Sequence, residues 1–103
     1  MRKPIDLRDS CAPFEAESRL FWLLGEKTRL HILHLLSEQP GQLCVAELAE
    51  KLGGREQSTV SHHLKLLYYG GLLTREDRGL YTYYHIEPHT LDTIRHILGQ
   101  LGH

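Results

Sequence analysis

Apolar and polar positions follow a helical period over most of this chain. In five segments apolar residues recur every three or four positions, the spacing of a helix that buries one face. The segments are Phe14–Leu24, Glu26–Ser37, Val45–Leu52, Ser58–Tyr69 and Pro88–Leu101. We expect the second helix to be mostly buried, because its apolar residues are dense: Leu30, Ile32, Leu33, Leu35 and Leu36.

The period changes between the fourth and fifth helical segments. Leu72–Glu76 and Leu80–Ile86 are short runs rich in Leu, Thr and Tyr, and they flank the turn residues Asp77-Arg78-Gly79. Two such runs around a turn predict a β-hairpin. The order helix, helix, helix–turn–helix, hairpin, helix predicts a mainly α domain with a small β-hairpin wing.

The fourth segment has two faces of different chemistry. At about 100° per residue, Val60, Leu64 and Leu67 fall on one side and predict a buried stripe. The opposite side is small, polar and weakly basic, and it consists of Ser58, Ser61, His62, Lys65 and Tyr69. Ser58 is predicted to cap the N-terminus of this helix. His63 lies at the edge of the apolar stripe and is expected to pack.

The polar face suits the major groove of DNA. Hydroxyl and imidazole groups can donate to or accept from base edges, and a lysine such as Lys65 can reach a phosphate. Arg75 and Arg78 lie in the predicted hairpin, where we expect them to lie along the phosphate backbone. A helix–turn–helix followed by a hairpin therefore favours a winged helix-turn-helix that binds DNA.

Length and composition leave this interpretation open and exclude others. At 103 residues the chain is expected to form one domain over residues 14–103, preceded by an arm at residues 1–13 that holds two of its prolines. The net charge of −1 argues only weakly against nucleic acid, because basic residues gather in the central segment. No apolar run is long enough for a membrane span, so we expect a cytoplasmic protein.

Several stretches resemble the ArsR/SmtB family of metal- and stress-responsive repressors. They span about Leu20 to Ile86, and the most specific is Ser58-Thr59-Val60-Ser61-His62-His63-Leu64-Lys65-Leu66-Leu67. The others are Leu24-Gly25-Glu26-Lys27-Thr28-Arg29-Leu30-His31-Ile32-Leu33, Cys44-Val45-Ala46-Glu47-Leu48-Ala49, Gly71-Leu72-Leu73 and Tyr83-Tyr84. The resemblance implies a homodimer formed by the first and last helices and an inducer that releases operator DNA. By motif match it assigns base contacts to Gln57, Ser58, Ser61 and His62.

The inducer site is where this chain departs from the family. Members commonly bind thiophilic ions through Cys-Val-Cys at the start of the third helix, whereas this chain has Cys44-Val45-Ala46. Cys11 could supply a second thiolate, and two thiolates suit Hg(II) or Cu(I), or As(III) or Sb(III) with a third ligand. Thiol oxidation, persulfidation and two inert cysteines are the alternatives.

The family's other metal site, on the last helix, is absent, because its positions fall on Pro88, Thr90 and Leu101. His89, Asp92 and His96 share one side of that helix and form an alternative site for Zn or Ni. The opposite side is expected to pack at the dimer interface through Leu91, Ile94, Leu98 and Leu101.

Two other function classes fit less well. A winged helix that docks a protein partner should expose large apolar residues on its recognition helix, and only Tyr68 and Tyr69 hint at that. An enzyme is not expected, since the sequence has neither a glycine-rich phosphate loop nor a familiar order of catalytic residues.

Overall fold

The computed structural model describes residues 14–101, so the predicted arm at residues 1–13 lies outside the described part. Within that part, five helices and three strands follow one another along the chain. They are α1 (Glu15–Leu24), α2 (Lys27–Ser37), β1 (Leu43–Cys44), α3 (Val45–Lys51), α4 (Gln57–Tyr69), β2 (Leu73–Arg78), β3 (Tyr81–Ile86) and α5 (Thr90–Leu101). None of these helices has the length and apolar character needed to cross a bilayer.

The five predicted helices are present, and the last begins two residues later than expected. Pro88 lies in the turn before α5, because the Glu87 carboxylate accepts a hydrogen bond from the His89 amide at 2.9 Å. The Thr90 hydroxyl donates to the Leu72 carbonyl at 3.1 Å, which joins the start of α5 to the hairpin. Side-chain contacts of this kind fix a helix start where propensity alone does not.

The hairpin is part of a three-stranded antiparallel sheet in the order β1-β3-β2. The strand β1 was not predicted, since two residues carry no period and pair only with distant partners, Leu43 with Tyr84 and Cys44 with Tyr83. The predicted turn is also wrong in position. Arg78 still pairs with Tyr81, and the loop is Gly79-Leu80, in which Gly79 takes the positive φ of 62° that a two-residue turn requires.

The core lies where α2, α3 and α4 meet the sheet. The side chains without solvent contact are Ile32, Leu48, Val60, Leu64 and Leu67. The expectation that α2 is mostly buried is wrong for Leu30, which is 50% exposed. The core-facing residues of α2 are Ile32 and Leu36, and Leu30 instead lines an apolar groove of about 280 Å³ with Leu91 and Ile94.

A second apolar surface is left open to solvent on α1 and α5. We call it the α1–α5 face, and its large exposed residues are Phe21, Trp22, Leu91, Leu98 and Leu101. The side of α5 that meets the core carries Thr90 and Ile97 instead. Of the predicted stripe on α5, Ile94 is half-buried and packs against the core of its own subunit, so that part of the prediction is wrong. Leu91, Leu98 and Leu101 remain exposed, as expected of a helix that pairs with a second copy.

Candidate nucleic-acid interface

The angle between α3 and α4 is fixed by a glycine turn. Gly53 and Gly54 have φ values of 85° and 80°, in a region of backbone conformation that residues other than glycine rarely adopt. The amides of Gly54 and Arg55 both donate to the Ala49 carbonyl, at 2.9 and 3.2 Å, and so close the end of α3. This turn presents the N-terminal end of α4 to solvent.

The start of α4 differs from the prediction. The helix begins at Gln57, and its capping residue is Glu56, which has extended backbone and makes no capping hydrogen bond through its side chain. Ser58 is therefore not the cap. It lies exposed in the first turn, on the same face as the other predicted base contacts.

The two faces of α4 are as the apolar spacing predicts. Val60, Leu64 and Leu67 are buried completely. On the other side, four of the predicted contact residues are exposed to solvent: Gln57, Ser58, His62 and Lys65. The fifth, Ser61, is half-buried. The structure thus brings all five predicted α4 residues to the accessible side of one helix, with hydroxyl, amide, imidazole and ammonium groups available to a duplex.

Behind this face, Arg29 is a buried residue that the apolar pattern did not single out. It is 6% exposed, and its guanidinium lies between α1 and α4. The Nε group donates to the Leu23 carbonyl at 2.6 Å, and Nη1 lies 3.3 Å from Nδ1 of His63. The signal was present, because Arg29 precedes Ile32 by three residues and Leu36 by seven, so it shares their buried face.

The two arginines of the wing contact other side chains of the protein, whereas the sequence predicted that they lie along the phosphate backbone. Arg78 lies beside the loop, but its Nε donates to Glu76 at 2.9 Å and its Nη2 donates to Gln42 at 2.7 Å. Arg75 pairs across the sheet with buried Tyr84, away from the tip, and its guanidinium stacks on Tyr68 of α4 at 5.3 Å. Two acids and two arginines on β2 give the wing no net positive charge.

Removing one acid should therefore strengthen DNA binding through the wing. The hydrogen bond from Arg78 lowers the pKa of Glu76, so this carboxylate is charged and competes with phosphate for the guanidinium. We expect Glu76→Gln to tighten binding to every duplex and to steepen the dependence of log K on log salt concentration by about one phosphate contact. Adding Arg78→Ala to this variant should abolish the gain, because the guanidinium that Glu76→Gln releases is then absent. An unchanged slope in Glu76→Gln would show that the wing does not touch phosphate.

The thiol of Cys44 lies at the joint between the sheet and α3. Cys44 is 6% exposed, precedes the first residue of α3 and pairs with Tyr83 of the wing strand β3. Its amide donates to Glu47 Oε1 at 3.0 Å. Hydrogen bonds from the Cys44 amide and thiol lower the pKa of Glu47. Cys11, its predicted partner, lies outside the described residues.

The alternative metal site is not assembled within one subunit. All three side chains are exposed, but His89 lies in the turn before α5, whereas Asp92 and His96 lie on the helix. Asp92 lies 3.5 Å from Arg95. Over residues 14–101, no group of three or more His, Cys, Asp or Glu side chains is close enough to hold a metal ion. Two histidines seven positions apart are separated by about 10 Å along a helix, which explains why they do not converge.

Comparison with known proteins assigns the family. Residues 26–75, from the start of α2 into β2, match the family described as "Bacterial regulatory protein, arsR family". An uncharacterized HTH-type transcriptional regulator of Methanocaldococcus jannaschii is 32% identical over 88 residues, which are 85% of this chain and 97% of that protein. The chain belongs to the arsR family of bacterial regulatory proteins.

The similarity of this arsR-family chain extends to named repressors and to solved structures. The arsenical resistance operon repressor of Escherichia coli K12 is 42% identical over 69% of this chain and 59% of its own length. The crystal structure of a possible transcriptional regulator for arsenical resistance has a TM-score of 0.70 at 28% identity, covering 79% of this chain and 81% of its own.

A third relative is informative about assembly. It is the homodimeric winged helix-turn-helix DNA-binding domain of a possible ArsR-family regulator from Mycobacterium bovis. The TM-score is 0.71 at 27% identity, over 97% of this chain and 91% of that one. The predicted winged helix-turn-helix fold is therefore confirmed for this arsR-family protein.

Proposed function

We propose that this protein is a homodimeric transcriptional repressor that binds operator DNA and releases it when a thiophilic ion binds its cysteines. The observation that carries the proposal is the polar face of α4. It presents Gln57, Ser58, Ser61, His62 and Lys65 outward while the rest of the helix is anchored in the core. That division of one short helix suits insertion into a major groove.

The α1–α5 face supports the homodimer. Trp22 is 60% exposed and Leu98 is 53% exposed, values that a stable monomer rarely shows for several large apolar residues together. A two-fold axis at this face would pair each α5 with its copy and set two α4 helices on one side of the duplex. The Mycobacterium bovis relative of the same fold is described as homodimeric.

The position of Cys44 supports a thiol-based inducer site. Its backbone belongs both to the sheet, through Tyr83, and to the capping position of α3, which leads through the glycine turn into α4. A ligand that draws the Cys44 sulfur toward Cys11 would therefore shift the wing strand and α3 together. Two thiolates suit soft ions such as Hg(II) or Cu(I), or As(III) or Sb(III) with a third ligand, and three relatives are described as arsenical resistance operon repressors.

Three alternatives share this fold. A thiol-oxidising or persulfide signal would act on the same Cys44, and an inducer of the Zn or Ni type would use His89, Asp92 and His96. A protein-docking module that has lost DNA binding is favoured only by Tyr69, which is 76% exposed at the end of α4. The other residues of that face are polar.

DNA binding is tested directly by fluorescence anisotropy with the DNA upstream of the protein's own gene. A repressor that contacts phosphates should bind more tightly to that duplex than to a scrambled one, and log K should fall linearly with log salt concentration. Equal weak binding to both duplexes, or none, would contradict the proposal and favour the docking module.

The cysteines and the histidines His89 and His96 make opposite predictions for release. Cys44→Ser and Cys11→Ser should each keep DNA binding and abolish release by Hg(II), Cu(I), As(III) or Sb(III), because a hydroxyl is a poor ligand for a soft ion. His89→Ala with His96→Ala should leave release intact. Release that survives in the serine proteins and fails in the alanine protein would place the site on α5 instead. Release by a persulfide donor but by no ion would favour the redox signal.

A further inference from the structure

A buried polar connection joins the end of α1 to the recognition helix α4. Arg29 donates from Nε to the Leu23 carbonyl at 2.6 Å and from Nη2 to the Trp22 carbonyl at 3.2 Å. Both carbonyls belong to the last turn of α1, where backbone donors run short. The Trp22 carbonyl also accepts from the Gly25 amide at 3.2 Å. The same guanidinium lies 4.9 Å from the centroid of the Trp22 ring.

The third branch of this connection ends on His63. Arg29 Nη1 lies 3.3 Å from His63 Nδ1. An arginine side chain can only donate hydrogen bonds, so Nδ1 must be the acceptor and the ring proton must be on Nε2. The contact therefore requires a neutral imidazole, and His63 follows directly after His62 on α4.

We infer that Arg29 is the positioning residue of α4, and that it holds the DNA-reading face in place only while His63 is neutral. This inference rests on the proposed function. Arg29 is the one described side chain that hydrogen-bonds to both α1 and α4. Because Trp22 belongs to the α1–α5 face, the same side chain also connects that face to α4.

The charges around His63 give the direction of its response to pH. Burial lowers the pKa of His63, and the positive charges of Arg29, His62 and Arg55 lower it further, against the opposing effect of Glu26. His63 is accordingly neutral at pH 7. The ring therefore gains its proton only at a pH below the ordinary range of histidine, and a protonated ring and the guanidinium would then both be donors. The bond between them then breaks, and the ring turns to Glu26, whose Oε2 lies 3.8 Å from Nδ1.

The test uses a duplex that the parent protein enriches from a random-sequence library, with a scrambled duplex of equal composition. The quantity measured is the dissociation constant for the scrambled duplex divided by that for the enriched duplex. His63→Leu removes the acceptor and should lower the ratio at pH 7.5 by about tenfold, mainly through weaker binding to the enriched duplex. Its matched control is His31→Leu, an exposed histidine of α2, which should keep the parent ratio.

A second variant separates positioning from packing. His63→Asn keeps an acceptor near the place of Nδ1 but cannot be protonated. It should retain the parent ratio at pH 7.5 and should not show the fall in ratio that the parent shows between pH 7.5 and pH 5.5. Arg29→Lys keeps the charge but replaces three nitrogens in a planar fork by a single one, so it cannot reproduce the three separate contacts of Arg29. It should therefore resemble His63→Leu, while Arg95→Lys should resemble the parent.

The possible failures are distinguishable. If the parent enriches no duplex, the proposed DNA-binding function is wrong and the coupling is wrong with it. If the parent enriches a duplex and His63→Leu keeps its ratio, only the coupling is wrong. Parallel weakening on both duplexes together with a lower melting temperature would show a structural role. An Asn variant as sensitive to acid as the parent would overturn the pH dependence.

Discussion

The Leu98→Asp protein is expected to be a folded monomer that no longer binds DNA. Leu98 is 53% exposed in one subunit, so the new carboxylate meets water there and does not disturb the core. In the proposed dimer it would be buried without a partner, which costs about 3–5 kcal/mol. Subunit association should weaken by more than about 100-fold. Analytical ultracentrifugation measures the mass, and circular dichroism checks the fold.

The matched control is Gln100→Asp on the same helix. Gln100 is exposed, and two residues along a helix turn by about 200°, so its side chain points away from the α1–α5 face. This variant should remain a dimer and bind DNA. If Leu98→Asp sediments as a stable dimer, the subunits must pair through another surface.

The second large effect is expected from the reading face itself. Ser61→Ala combined with His62→Ala should weaken binding to the operator by about 1–3 kcal/mol for each base that is no longer recognised, and should relax sequence preference. Binding to a scrambled duplex should change little, because phosphate contacts are kept. Titrations of both duplexes with the folded variant measure the two constants.

The same residue types can be removed elsewhere as a control. Ser37→Ala with His31→Ala changes an exposed serine and an exposed histidine on α2 and should leave operator affinity unchanged. Should the Ser61 and His62 double variant bind the operator as tightly as the parent, base recognition would have to come from residues outside this face.

The sequence predicts those features of the fold that depend on local periodicity. The stripe of Val60, Leu64 and Leu67 is predictable because burial repeats at the helical period, and the structure buries all three completely. The exposed opposite face follows from the same geometry. Two positions that failed, the cap at Ser58 and the turn after Glu76, depend on where a single hydrogen bond or a positive φ falls.

Contacts between residues that are distant in sequence could not be predicted from local periodicity. The strand β1 exists because Leu43 meets Tyr84, forty-one residues later. Arg78 was expected to be free for phosphate, yet it donates to Gln42, which lies thirty-six residues earlier. The connection from Arg29 to His63 spans thirty-four residues. Each of these contacts needs the completed fold. The first adds a third strand to the sheet, and the other two modify the site.

The central claim is that two copies of α4, related by the dimer axis, read the operator. Hydroxyl-radical footprinting of the parent protein on its upstream DNA tests this most directly. We predict two protected patches on one face of the duplex, related by inverted sequence symmetry and separated by one helical turn of about 34–36 Å or a multiple of it. A single protected patch, or protection without inverted symmetry, would contradict the claim.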